Sequence, residues 1–417
     1  MKHIIIGNGP TGLVAAETLR RLQPQAEIAL IGDEAEPPYS RMAIPYFLQG
    51  NIAIEGTHLR KESDHYAKRN IHLVQGRVAR VDPGAKHIDF ADGKRLAYDK
   101  LLIATGSHPI RPDVPGIDLP NVHTCWTLDD ARDIAAKAIP GSRVLQLGAG
   151  FIGCIIMEAL AARGVKLTVV EMGDRMVPRM MTEKAGGMIR RWVEKQGVAV
   201  HVNAAITAIE AKGNELAVKV SDGTTLAADL VICAAGVRPN IGFLAGSGID
   251  MGRGIRVDNR MQTSVPDIYA AGDVTEAIGF HSGQPEVNAI QPNAADQARI
   301  AAHNMAGDAS VSQGSLAINV LDTLGLISSS FGQWWGAEKK DGGMGVELVD
   351  EGNHRYLSLQ FKDDVLIGAT SIGWTEHVGV LRGLIQTRAR LGAWKDRLLA
   401  DPTGFMAAYL AAAQKAA

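Results

Sequence analysis

The chain opens on a short apolar stretch, His3 to Ile6, that breaks at Gly7-Asn8-Gly9-Pro10-Thr11-Gly12 and resumes as an alanine-rich segment to Arg21. A second apolar run, Ile28 to Ile31, ends on Gly32-Asp33. This alternation predicts strand, glycine turn, helix and strand, a βαβ opening suited to a dinucleotide. The same alternation returns at Arg143. Val144 to Leu147 lead into Gly148-Ala149-Gly150-Phe151-Ile152-Gly153, a helical run reaches Ala162, and Leu167 to Val170 end on Glu171.

The sequences that follow the two openings also match. Ile71 to Tyr98 alternates in short strands around Asp82-Pro83-Gly84 and Asp92-Gly93, as a β-meander does, and a strand from Lys100 to Ala104 closes on Thr105-Gly106. Asp222-Gly223, Asp229 and Gly236 stand 130 residues after Asp92-Gly93, Asp99 and Gly106. The chain therefore holds two copies of one nucleotide-binding plan. Four prolines between Pro109 and Pro120 mark the connection between them.

Each residue type in the first turn has a physical task. Gly7 permits a tight turn off the strand, Gly9 lets a pyrophosphate approach the backbone, and Gly12 lets helix and strand pack closely. The helix that follows the turn aims its unpaired N–H groups and positive dipole end at the phosphates. Asp33, or Glu34 beside it, accepts from a ribose diol.

Beyond the second copy, Thr263 to Val274 predicts a buried strand ending in a turn, Ala271-Gly272-Asp273, that presents one acid. A helix from about Pro292 to Met305 follows it. If both complete the first domain, the second is an insertion in it. Leu316 to His377 predicts a small α+β cap, with strand alternation in Tyr356 to Phe361 and an apolar run from Val365 to Ile367. The tail from Val378 predicts helix with Leu381, Leu384 and Ile385 in one stripe, then a last helix with Asp401 as N-cap and Pro402 at N1.

Composition narrows the classes. At 417 residues, with 46 glycines and 46% hydrophobic content, the chain suits a multidomain α/β protein. A net charge of −2 gives no reason to expect nucleic acid or an anionic membrane. A strand at the third residue leaves no room for a signal peptide, and no long apolar run spans a bilayer, so a cytoplasmic protein is expected. Cys125, Cys154 and Cys233 are too far apart for a C-x-x-C or metal motif, so structural thiols and no metal are expected.

With both fingerprints, Ala104-Thr105-Gly106 and Ala270-Ala271-Gly272-Asp273, the chain resembles the FAD-dependent pyridine nucleotide-disulfide oxidoreductase superfamily over about residues 1 to 375. Pro38-Tyr39-Ser40-Arg41 and the small C-terminal domain look most like the rubredoxin reductase and nitrite reductase flavin-module branch. The resemblance implies two Rossmann-like, glutathione-reductase-like domains, the second inserted in the first. Residues 1–112 and 241–312 would bind FAD and 113–240 NAD, with an α+β domain at 313–377 and a helical tail at 378–417. It implies that Gly7, Gly9, Pro10, Thr11 and Gly12 hold FAD pyrophosphate, with Asp33 or Glu34 on the ribose. Arg41, Thr105 and Gly106 would hold its middle and Asp273 its ribityl chain, with Val78, Ala104 and Gly272 also among the cofactor-binding residues. Gly148, Gly150, Ile152, Gly153 and Gly236 would hold the nicotinamide cofactor, and Glu171 would favour NAD over NADP.

Departures from the family narrow the chemistry. Met42 precedes Ala43-Ile44-Pro45-Tyr46 where the coenzyme A disulfide reductases and NADH peroxidases carry a redox cysteine, and a thioether forms no disulfide. Oxygenase-coupled ferredoxin reductases place a lysine at Tyr46 and a glutamate at Ile155; both are missing here, with Glu158 one turn on. Trp334-Trp335 is read as a core anchor of the small domain ahead of the lining of an electron exit or a partner surface, His281 as solvated, and Met176, Met180 and Met181 as core.

The expected enzyme is a FAD-dependent NADH:acceptor oxidoreductase in which the flavin, not a side chain, carries the chemistry. Its partner would be an iron-sulfur or rubredoxin-like protein, free or within a complex such as an aldehyde oxidoreductase or nitrite reductase. The alternatives are an NADH oxidase using oxygen and a redox-sensing flavoprotein interaction module.

Overall fold

The computed structural model describes residues 1–416. It divides into two compact units: Met1–Phe47, Ile52–His108 and Val237–Leu316 form one, and Leu48–Asn51, Pro109–Gly236 and Ala317–Ala417 the other.

The first unit is built on a five-stranded sheet in the order Ile268–Ala270, Lys100–Ile103, Lys2–Ile6, Glu27–Gly32 and Ile71–Gln75. Every neighbouring pair is parallel. A parallel sheet is covered on both faces, which is why its strands carry unbroken apolar runs such as Ile4-Ile5-Ile6. Helix Pro10–Leu22 packs on helix Gln291–Ala306. Ala15, Ala16, Ala298, Ala301 and Ala302 are fully buried, so alanine faces bring the two helices close.

The second unit repeats the plan. Its sheet runs Ala199–His201, Lys166–Val170, Arg143–Leu147, Leu230–Cys233 and Val122–Thr124, again parallel throughout. Each copy carries a three-stranded antiparallel meander, Val78–Asp82, His87–Phe90 and Arg95–Ala97 in one and Ile206–Lys212, Glu215–Val220 and Thr225–Ala228 in the other. The aspartates after the meanders do the same work. Asp99 accepts from the Lys2 backbone N–H at 2.6 Å and donates its own to the Lys2 carbonyl, while Asp229 does so with Arg143 at 2.8 Å. The copies differ in the fifth strand, which the first takes from downstream chain (Ile268–Ala270) and the second from upstream chain (Val122–Thr124).

The C-terminal sheet lies in the second unit. It is antiparallel, in the order Ile318–Thr323, Leu326–Gly332, Val365–Ile372, Arg355–Lys362 and Gly343–Asp350. It is tied to helix Glu183–Lys195 by hydrogen bonds from Trp192 Nε1 to the Leu324 carbonyl and from Thr182 Oγ1 to Tyr356, and by the Arg191–Glu351 pair. Helix Gly379–Thr387 buries Leu381, Leu384 and Ile385 as the stripe predicts.

Two expectations are corrected here. Asp401 does accept from Thr403 N–H, at 3.0 Å, but it caps a 3-10 turn, Pro402–Gly404; the last helix, Phe405–Ala416, begins after Gly404. Trp335 is no core anchor. It is 64% exposed, edge-on to the half-buried Trp334 at 5.4 Å. The backbone at Gln333 and Trp334 lies directly on Gly368, where no side chain fits, so the loop hugs the sheet and turns the second indole outward.

Candidate dinucleotide sites

At the C-terminal end of the first unit's sheet, Gly7 adopts φ +112°, and a side chain there would run into the Ala104 carbonyl. Gly12 packs on the Gly7 carbonyl with equally little room. Gly9 is different: a Cβ built on it meets nothing within 4 Å. It caps helix Pro10–Leu22, which has proline in its first turn, no acid there and no side-chain cap. Free N–H groups facing open space suit a phosphate.

Thr11 reaches across to the turn from the neighbouring strand, since a Cβ on Gly272 would lie 2.6 Å from its Oγ1. Gly272, at φ +84°, donates its N–H to Gln297 Oε1 at 2.8 Å, and Gln297 Nε2 donates to Ser315 at 3.1 Å. This buried glutamine holds the turn that presents Asp273, a role not read from the sequence. Asp273 accepts from Ser107 Oγ at 3.2 Å. Burial holds its carboxyl above the usual carboxylate range, against the opposing pull of Ser107 and the Arg41 charge. Thr105 is pinned by Asn240, which accepts from its hydroxyl at 3.0 Å and donates to its carbonyl at 2.8 Å; Asn240 too was missed. Gly106, at φ +63°, faces open space.

Glu34 and Asp33 part company. Glu34 accepts from Tyr39 at 2.6 Å and from Arg41 at 2.7 Å, and Arg41 also donates to the Tyr39 hydroxyl. Asp33 is exposed, with no hydrogen bond or ion pair to any described residue, which leaves it open to a ribose. Val78 is 8% exposed and packs in the core of the unit.

The second cradle has the same parts. Gly148 (φ +99°) sits against the Ala234 carbonyl, Gly153 against the Gly148 carbonyl, and Gly150 faces open space at the start of helix Phe151–Ala162. Ile152 lies half-buried in the first turn, and Gly236 (φ +103°) accepts from Ile110 N–H at 2.8 Å. Glu171 turns inward. Its two oxygens accept from Ala149 N–H at 2.6 Å and Gly173 N–H at 2.7 Å, so it braces the glycine loop from the strand end. The matching backbone bonds, Gly7 to Ile31 and Gly148 to Val170, make Gly32 the counterpart of Glu171. Over Gly32 lies the Asn8 side chain, and the acid of the first copy stands one residue further out.

The remaining candidates fall into place by burial. Cys125, Cys154 and Cys233 are buried and unpaired, and burial pushes the first two thiols up to about 12, which makes them unreactive. Met176, Met180 and Met181 are core, and His281 is exposed, edge-on to Phe280. Glu158 is pushed upward by burial and by Asp322, with Leu324 N–H opposing; its neighbour is an acid, not a base. Among the described residues no group of three His, Cys, Asp or Glu is placed to hold a metal ion, and no helix is long and apolar enough to cross a membrane.

The sequence profile of the pyridine nucleotide-disulphide oxidoreductases matches residues 1–301. The chain belongs to that family. It is 31% identical over 96% of its length to the epsilon subunit of NADH-dependent phenylglyoxylate dehydrogenase from Aromatoleum evansii, covering 95% of that protein. It is 30% identical over 93% of its length to the ferredoxin–NAD(+) reductase component of the biphenyl dioxygenase system of Paraburkholderia xenovorans, covering 94% of it. Among solved structures, a ferredoxin reductase from Rhodopseudomonas palustris superposes with a TM-score of 0.82 at 28% identity, over 89% of this chain and 91% of that one.

As a member of this family the chain is a FAD-dependent oxidoreductase that uses NAD(H). Its own residues fit both groups: two glycine cradles open at Gly9 and Gly150, and each helix start is free of acid. Met42, ahead of Ala43-Ile44-Pro45-Tyr46, stands 47% exposed.

Proposed function

We propose that the first copy, residues 1–112 with 241–312, retains FAD and that the second, residues 113–240, takes up NADH and lets NAD go. Gly7, Gly9, Pro10, Thr11 and Gly12 would cradle the flavin pyrophosphate, Asp33 its ribose, Gly272 and Asp273 the ribityl chain, and Arg41, Ala104, Thr105 and Gly106 the middle. Val78, whose side chain packs in the core of the unit, would stand with this set. Gly148, Gly150, Ile152, Gly153 and Gly236 would receive the nicotinamide dinucleotide, with Glu171 at its adenosine ribose. Bound there, FAD accepts electrons as a pair and releases them singly, which suits an iron-sulfur or rubredoxin-like acceptor. The protein would supply placement, with the Asp273 carboxyl presented by the Gly272 turn.

The observation that carries this reading is the duplicated cradle together with Met42. Two nucleotide sites without a cysteine relay point to outward electron transfer rather than disulfide turnover. The likeness along nearly the whole chain to a lettered subunit favours a place within a redox complex. Anaerobic NADH should bleach the purified yellow protein, and reoxidation should be slow in air and fast with an iron-sulfur protein. Fast turnover with air alone would instead make it an NADH oxidase, and a long-lived complex with NAD that never turns over would make it a sensor.

A further inference from the structure

Strand Arg143–Leu147 runs through the middle of the second unit's parallel sheet, as Lys2–Ile6 does in the first. The aspartate bonds that match Lys2 to Arg143 pair Ile5 with Gln146, and both side chains are fully buried. A strand covered on both faces has no need of an amide. The amide is also costly there, because Gln146 Oε1 has no hydrogen-bond partner among the described residues. Its Nε2, however, donates to the Gly148 carbonyl, the first glycine of the loop, at 2.8 Å. Turned over, the group would set oxygen against oxygen, so the carbonyl fixes its orientation.

The amide also stands in the gap between loop and helix, for a Cβ on Gly153 would lie 2.9 Å from Nε2. In the first copy, where Ile5 offers no donor, the Gly7 carbonyl lies nearer to Gly12 than the Gly148 carbonyl does to Gly153. With Glu171 on the Ala149 N–H, two side chains grip successive residues of the second loop. The first loop has neither grip.

We propose that Gln146 is a positioning residue for the nicotinamide dinucleotide. By taking the Gly148 carbonyl it fixes the loop's peptide planes before the nucleotide arrives, so the N–H groups that start helix Phe151–Ala162 are already aimed at a pyrophosphate. This rests on the reading that the second copy binds NAD(H). A nucleotide that exchanges at every turnover gains affinity from a loop already set, whereas one that stays bound orders its own loop once.

The test uses the full-length, FAD-loaded protein and its Gln146→Leu, Gln146→Met and Gln146→Glu variants, titrated with NAD and with ADP-ribose by calorimetry. The Leu and Met variants should bind both about fivefold more weakly, the worth of one hydrogen bond. They should keep kcat and full flavin content, and unfold no earlier than the wild type without nucleotide. In Gln146→Glu, burial keeps the acid protonated at low pH, where it donates to Gly148 and binding is normal; binding should fall as pH rises, a slope absent from the wild type and from Gln146→Leu. Wild-type affinity in the Leu and Met variants, or a flat pH profile in a folded Gln146→Glu protein, overturns the proposal. A wild-type protein that binds neither NAD nor ADP-ribose refutes the underlying reading instead.

Discussion

The two nucleotide-binding copies share strand order, glycine geometry and the aspartate clamp at their first strands, yet they treat the end of the second strand in opposite ways. In the first, Asp33 points out and is unengaged; in the second, Glu171 turns in and holds its own loop. They also differ in what closes the sheet. Downstream chain gives the first copy a fifth strand that carries the Gly272-Asp273 turn, braced by Gln297, whereas the second closes with Val122–Thr124 and gains no such acid. On the proposed reading one backbone plan serves two tasks: a separate stretch of chain would help to retain one nucleotide, and a braced loop would receive another.

The largest effect expected of any test of this contrast comes from Gly9→Val against Gly150→Val. Neither Cβ meets protein, so both variants should fold. The first should lose FAD affinity by about 100-fold or more and purify colourless, because its side chain takes the room a phosphate needs. The second should stay yellow and resist bleaching by NADH. Two colourless proteins would mean that the copies do not divide the labour in this way.

Asp273→Asn should weaken FAD binding about tenfold, by loss of a charge-assisted acceptor. It should also raise the melting temperature of the flavin-free protein by about 2 °C at neutral pH. The sign follows from linkage. Burial raises the folded carboxyl above its unfolded value, so the folded state holds more protons and loses stability as pH rises through that range. The advantage of the variant should therefore vanish below the ordinary carboxylate pKa, as melting curves across pH would show.

Glu171→Ala should raise the KM for NADH about five- to tenfold and narrow the preference over NADPH, with flavin content unchanged. An equal loss in kcat would place the residue elsewhere in the reaction.

The smallest effect should come from the clamp itself. The hydrogen bond from Arg143 holds Asp229 below the usual carboxylate range, so its contribution is present above the unfolded pKa and is lost as pH falls through the lowered folded value. The pair is solvent-screened, and Asp229→Asn should cost about 1 kcal/mol or less by urea unfolding.

What could be read from the chain was local and periodic. The glycine spacing fixed both turns, and the 130-residue recurrence anticipated the paired clamps of Asp99 and Asp229. What escaped was set by partners distant in the chain. Asn240 holds Thr105 across 135 residues, Gln297 reaches Gly272 across 25, and nothing near Glu34 announces that Arg41 and Tyr39 will occupy it. Ser328-Ser329-Ser330 carries no apolar signal yet is buried, in a strand flanked on both sides by Ile318–Thr323 and Val365–Ile372. The outward turn of Trp335 was decided by a glycine in another strand.

The split of the first unit around the second bears on biosynthesis. During translation the second sheet has all five strands once Cys233 has left the ribosome, while the first still lacks Ile268–Ala270. The earlier-begun half must wait, its edge bare, for the later one to be made. A truncated product ending near residue 240 would hold all five strands of the second parallel sheet and four of the first, and would lack the C-terminal segment of the second unit.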